Sequence, residues 1–190
     1  MIFPITTKRL ILRPFTHYDL QAFTAYRNQP EVARYQSWSA YTHDDALAFF
    51  AVQEQLAFDT DESWFQIAVE GRAEGHLIGD VAVHFFDEGR QGEIGVTFGT
   101  ESGGKGYAQE AVARVVELLF DTCGKHRLVA TVDARNIRAQ RLVERLGFRR
   151  EGVYRQNVFF KGLWGDEYGY ALLASEWLSA THKKPAGEAG

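Results

Sequence analysis

Hydrophobic and polar positions along this chain alternate with two different periods, and the changes of period divide it into elements. Residues 7–15, TKRLILRPF, read as a strand closed by Pro14. In HYDLQAFTAYRN, residues 17–28, the apolar Leu20, Phe23 and Tyr26 fall on one helical face, and Asn28-Gln29-Pro30 breaks the pattern. A second helix is predicted over 42–58. Thr42 stands at its N-cap, Asp44 and Asp45 suit its positive end, and Ala46, Phe49, Phe50 and Gln53 keep helical spacing. The period then drops to two. SWFQIAVEG (63–71), HLIGDVAVHFF (76–86) and GEIGVTFG (92–99) are β-rich runs joined by turns rich in Gly, Glu and Asp, which predicts an antiparallel meander.

The strongest helical pattern follows. Ala108, Ala111, Val112, Val115, Val116 and Leu119 lie at offsets 0, 3, 4, 7, 8 and 11. HRLVATVDA (126–134) is nearly all apolar, as a strand inside a sheet covered by helices should be. A short helix is predicted over 136–147, with Asn136 as N-cap and Gly147 as stop. FRREGVYRQNVFF (148–160) and DEYGYALLASEW (166–177) read as two final strands. The order β-α-α-β-β-β-α-β-α-β-β predicts one mixed α/β sheet with helices packed on it. Residues 1–178 form a single domain, and 179–190, small, polar and containing Pro and Gly, form a disordered tail.

Composition narrows the chemistry. The chain has 190 residues, 45% hydrophobic and 24% charged, enough for one substantial core. A net charge of −4 argues against nucleic acid as the partner and suits a cationic substrate. The single cysteine, Cys123, excludes an intramolecular disulfide and any multi-thiolate zinc site, and no metal is expected. Pro4, Lys8 and Arg9 interrupt any signal-peptide core, and no run approaches the ~20 apolar residues of a membrane span. The expectation is a cytoplasmic protein that meets neither membrane nor nucleic acid.

The candidate chemistry lies in GTESGGKGYAQEA, residues 99–111, where glycines and a lysine open the strongest helix. A phosphate-binding G-x-x-x-x-G-K-[ST] loop fits through Gly104 and Lys105, but Gly106 lacks the hydroxyl that would hold Mg²⁺. A dinucleotide G-x-G-x-x-G fails at Gln109. A pyrophosphate loop [QR]-x-x-G-x-[GA] fits GGKGYA at Gly106 and Ala108, with Gly103 in place of Gln or Arg. EIGVTF before the loop, EA and an apolar helix after it, and N..A.RLVERLGF about thirty residues further on complete an ordered set. With TKRLILRPF at the start, RREGVY later and D..Y.YALLASEW at the end, nearly the whole chain resembles the GNAT superfamily of N-acetyltransferases, within it the RimJ/RimL-like ribosomal-protein N-terminal acetyltransferases.

The resemblance implies a mixed, mostly antiparallel central sheet of about seven strands with helices on both faces. It implies acetyl-CoA as co-substrate, its diphosphate held by Gly103, Gly104, Lys105, Gly106, Tyr107 and Ala108 at the helix N-terminus. It places the pantetheine arm along backbone groups near Val96 and Phe98, where the strand splays from the next. Asn136 and Arg141 are the further coenzyme contacts implied. Glu93 matches a glutamate frequent in this group and is the proposed general base. His84 is the other candidate base, and Asp80 a lesser one. Glu110 in the first helical turn reads as structural, and Cys123 as a packed thiol. Ala139 and Val143 stand where relatives carry Ser and Tyr, so both usual thiol-protonating groups are missing, and Tyr107, Tyr154 or water must take that role. Tyr35, Trp38 and Tyr41, and the aromatics of VFFKGLWGDEY, read either as acceptor pocket or as core and interface. The acceptor is a small-molecule or peptide primary amine, and the resemblance also implies a homodimer. Two alternatives stay open at this point: a non-catalytic acyl-CoA-binding protein on the same scaffold, and a P-loop nucleotide hydrolase.

Overall fold

The computed structural model describes residues 2–182, the last three without their side chains. One eight-stranded sheet runs through the molecule in the order β1-β2-β3-β4-β5-β6-β8-β7. Its strands are β1 (Ile5–Thr6), β2 (Leu10–Pro14), β3 (Ser63–Gly71), β4 (His76–Phe86), β5 (Gln91–Phe98), β6 (Arg127–Asp133), β7 (Arg149–Phe160) and β8 (Leu163–Leu173). The helices are α1 (Leu20–Arg27), α2 (Pro30–Ala33), α3 (His43–Gln53), α4 (Tyr107–Glu117), α5 (Ile137–Arg145) and α6 (Ala174–His182). Every strand pair is antiparallel except β5 with β6.

Alternation along the strands builds two cores on opposite faces of the sheet. Phe65, Ile67 and Val69 of β3, Val81 and Val83 of β4, and Leu128, Ala130 and Val132 of β6 meet Ala111, Val112, Val115 and Val116 of α4 and Val143 of α5. Valine is a mediocre helix former, but each buried valine contributes roughly 1.5–3 kcal/mol, so packing holds α4 in place. Beyond Glu117 the helix widens into a π turn over Leu118–Thr122. On the other face Ala68 and Leu77 lie under Leu20, Phe23 and Tyr26 of α1 and Ala46 of α3. Thr42 caps α3 as predicted: its hydroxyl accepts from the Asp45 amide at 3.1 Å, and the Asp45 carboxylate accepts from the Thr42 amide at 2.8 Å.

The structure adds four features to the sequence reading. Ile5–Thr6 forms a short strand opposite Ile11–Leu12. α1 ends at Arg27, where the break was expected, and Pro30 then opens the separate short helix α2, in whose first turn its missing N–H costs nothing. The strand predicted from Asp166 begins three residues earlier, at Leu163, and stops at Leu173, where α6 begins. The Glu176 carboxylate accepts from the Leu173 amide at 2.9 Å and fixes that transition. Helix α6 takes in residues 179–182 of the predicted tail, and the rest of that tail lies outside the described residues.

Candidate active site

β5 pairs with β4 along its whole length, from Phe86↔Gln91 to Gly79↔Phe98. With β6 it shares only three pairs, Gln91↔Arg127, Gly92↔Leu128 and Glu93↔Val129. Beyond them the two parallel strands part, and the β6-facing backbone groups of Ile94–Phe98 have no strand partner among the described residues. A cavity of about 510 Å³ fills the gap. Ile94, Val96, Ala130, Val132 and Val143 line it from the α4–α5 side, and Gly95, Thr97, Gln66, Asp80 and Arg27 from the α1–α3 side. The cavity therefore crosses the sheet, and two reactants can enter from opposite faces.

The glycine loop precedes α4. Gly104 and Gly106 adopt φ of +72° and +79°, the left-handed region that only glycine enters without strain. A β-carbon on Gly104 would meet nothing within 4 Å, so open space faces the loop there. Gly106 is the N-cap of α4 and has no side chain to cap the first turn, whose free N–H groups point outward with the positive end of the helix dipole. The loop is held from behind. Arg9 Nη1 donates to the Lys105 carbonyl at 2.8 Å, and Arg9 Nε donates to Glu110 at 2.6 Å. Glu110 also accepts from the Thr7 hydroxyl at 2.6 Å and the Arg9 amide at 2.9 Å. Burial pushes the Glu110 carboxyl up, but these donors outweigh it and its pKa falls below the ordinary range. Glu110 is thus the structural carboxylate expected from sequence. The cradle suits a diphosphate: main-chain donors, no β-carbon in the way, and Lys105 exposed beside it.

On the α1–α3 side the cavity wall is polar and aromatic. Asp80 of β4 is fully buried. Its carboxylate accepts from the Tyr26 hydroxyl and from Gln66 Nε2, the latter at 2.6 Å. Burial raises the Asp80 pKa, and Arg27, Tyr26 and Gln66 only partly offset that. Burial, with Asp80 beside it, likewise drives the Tyr26 phenol well above its usual value. Trp38 Nε1 donates to the Arg27 carbonyl at 3.0 Å, which ties the segment after α2 to the end of α1. Tyr35, Trp38 and Tyr41 all line the cavity, so these three belong to the pocket. Phe159 and Trp164 of the second aromatic segment are exposed on the β7–β8 hairpin instead, 5.2 Å apart between ring centres.

Glu93 sits at the vertex where β5 leaves β6, half-buried, with His84 opposite it on β4. It adjoins the cavity-lining Ile94 and Gly95 but is not itself part of that lining. His84 is stacked against Trp64 at 4.9 Å and Phe86 at 5.6 Å. Val96 lines the cavity, while Phe98 packs against the core. Asn136 lines it too, and its Oδ1 accepts from the Ala139 amide at 3.1 Å as N-cap of α5. Arg141 is exposed on α5. Tyr107 donates its hydroxyl to Glu74 at 3.0 Å, a bond that raises its pKa, and Tyr154 is exposed on β7; neither lines the cavity. Cys123 is half-buried beside the core, and burial raises its thiol pKa, as befits a packed residue. Among the described residues no three His, Cys, Asp or Glu side chains are grouped as metal ligands would be, and no helix is long and apolar enough to cross a membrane.

Sequence reasoning missed Arg27, Gln66, Thr97, Thr131 and Asp133 as parts of the cavity wall. One signal was available: Arg27 lies at offset 7 from Leu20 and 4 from Phe23, a charge on the inward stripe of its helix.

Comparison with known proteins bears on this geometry. The profile of the acetyltransferase (GNAT) domain matches residues 9–149. Over 173 residues the chain is 34% identical to a Bacillus subtilis (strain 168) protein named uncharacterized N-acetyltransferase YnaD, covering 91% of this chain and 98% of that one. It is 25% identical over 174 residues to the spermidine N(1)-acetyltransferase of Escherichia coli (strain K12), covering 92% and 90%. The crystal structure of a GNAT-family acetyltransferase from Bacillus anthracis matches with a TM-score of 0.83 and 28% identity, over 92% of this chain and all of that one.

Proposed function

The chain belongs to the acetyltransferase (GNAT) family and is an acyltransferase, and from that premise we propose that it moves an acetyl group from acetyl-coenzyme A to a primary amine while both are bound. The observation that carries this reading is the parting of β5 from β6 immediately after the Glu93↔Val129 pair, which opens a cavity through the sheet. When bound, acetyl-coenzyme A supplies an activated acetyl group: the amine nitrogen bonds to its carbonyl carbon, the carbon–sulfur bond breaks, and one proton passes on balance from nitrogen to sulfur.

The remaining work falls to the chain. The Gly103 amide, expected from sequence as a donor, is spent on the Thr100 carbonyl at 3.0 Å, so main-chain N–H groups from Gly104 to Ala108 grip the diphosphate, helped by Lys105 and by the α4 dipole, worth roughly 0.3–1 kcal/mol at an exposed site. The unpaired backbone groups of β5 near Val96 hold the pantetheine arm and meet negative charge that develops on oxygen during transfer. Glu93 takes the amine proton, directly or through one water, from its place at the mouth of the gap. Asn136 at the start of α5 and Arg141 midway along it contribute coenzyme contacts. Tyr35, Trp38 and Tyr41 enclose the acceptor.

Thiol release with acetyl-coenzyme A and a panel of primary amines tests the reading. Turnover with at least one amine, and coenzyme binding in the absence of amine, is the expected result. Coenzyme binding with no turnover on any acceptor contradicts it.

A further inference from the structure

Arg27 places a buried charge in the wall of the acceptor cavity. Its side chain is 8% exposed. The guanidinium carbon lies 4.2 Å from the ring centre of Phe23, 4.3 Å from Trp38 and 5.1 Å from Tyr41. Aromatic faces stabilise a cation without occupying its N–H donors. Beyond an interaction with the Tyr26 hydroxyl, the donors are poorly used. Nη2 comes only to 3.7 Å from Asp80 Oδ1, and that carboxylate is already engaged by Tyr26 and Gln66. The Nε of Arg27 is buried and has no hydrogen-bond partner among the described residues. Buried charges are ordinarily paired and hydrogen-bonded, because an unmet donor carries its full desolvation cost. A guanidinium that lines a cavity with donors unspent is therefore a half-built anion site. Its planar fork fits a carboxylate.

We infer that Arg27 selects acceptor amines that carry a carboxylate, as an amino acid does, pairing with that carboxylate and leaving the amine to face β5. The inference rests on the acetyl-transfer reading above and names its acceptor class. The rest of the wall agrees. Among the described residues that line the cavity, neither carboxylate is free to pair with a polyamine's second ammonium. Asp80 is held as described, and Asp133 is bound by Arg135 at 2.7 and 3.0 Å and by the Arg135 amide at 2.8 Å. An elongated cation would instead meet the charge of Arg27. The net charge of −4, which from sequence favoured a cationic acceptor, is not what the acceptor meets in this cavity.

The test compares kcat and KM for matched amines with and without the carboxylate, phenylalanine against phenethylamine and leucine against isoamylamine, with spermidine alongside. The wild-type protein is expected to prefer the carboxylate-bearing member of each pair by tenfold or more in kcat/KM, chiefly through KM. Arg27→Gln is expected to abolish that preference, and Arg27→Lys to keep part of it. A structural role would lower turnover of both members equally. As a check that needs no variant, 3-phenylpropionate should inhibit wild type competitively against the amine, and 3-phenylpropionamide should not. Equal or better use of the decarboxylated amines or of spermidine, a preference that survives in Arg27→Gln, or no inhibition by the free carboxylate overturns the inference while acetyl transfer stands. Absence of thiol release with every amine overturns the acetyl-transfer reading itself, and the inference with it.

Discussion

Glu93 and Val129 form the last pair between β5 and β6, and the cavity begins at the next residue of each strand. A carboxylate at that vertex is well placed to serve an amine entering the gap. Replacing Glu93 with Gln keeps the shape and removes the proposed base. Turnover is expected to fall by about 10²-fold or more while coenzyme affinity stays unchanged. Steady-state kinetics with calorimetric titration of coenzyme A separate the two effects, and full turnover in the variant removes Glu93 from the proposed role.

On the proposed reading Gly106 serves both backbone and ligand, and a control can separate the two. Its φ of +79° is matched by +78° at Gly162, in the β7–β8 turn and outside the loop. Alanine at either position should cost about 1–2 kcal/mol of stability from left-handed strain. On the proposed reading only Gly106→Ala should also weaken coenzyme A binding, because there the β-carbon presses on Arg9 Nη2, 3.4 Å away, and Arg9 Nη1 holds the Lys105 carbonyl of the loop. Melting curves and titrations of the two variants, run together, check this.

Glu110 holds the loop through Thr7 and two groups of Arg9. Glu110→Gln leaves those donors weakly met and is expected to cost about 1–3 kcal/mol. Its folded pKa is depressed, so the carboxylate's contribution is complete above the unfolded value of about 4.3 and is lost as pH falls through the lower folded value. Wild type and variant should therefore converge in denaturant stability as the solution is taken from pH 6 toward pH 3.

Asp80 runs the other way. Its folded pKa is raised, chiefly by burial, so the folded state holds the proton more tightly than the unfolded chain. Wild-type stability should decline, through this group, as pH rises above about 3.9 toward the folded value. Asp80→Asn cannot ionise and escapes that decline. The variant should gain on wild type between pH 4 and pH 7 in chemical denaturation, and a constant difference across that range contradicts the assignment.

What the sequence made legible, and what it hid, follows from range of interaction. Strands 63–71 and 76–86 were read to the residue because alternation and flanking turns are local signals. The glycine loop was readable because left-handed φ at Gly104 and Gly106 excludes other side chains. Ile5–Thr6 is a strand only through pairing with Ile11–Leu12. Helix α6 continued an apolar run with no break between Leu173 and Ala174, so period alone did not reveal it. The Arg27–Asp80–Gln66 cluster joins α1, β4 and β3, and no spacing along the chain announces such a convergence.

The most direct measurement is a crystal structure with acetyl-coenzyme A bound. The diphosphate is expected against the main-chain N–H groups of Gly104–Ala108, with the acetyl end between β5 and β6 near Glu93. A coenzyme bound elsewhere, or one whose acetyl end points away from the gap, contradicts the account.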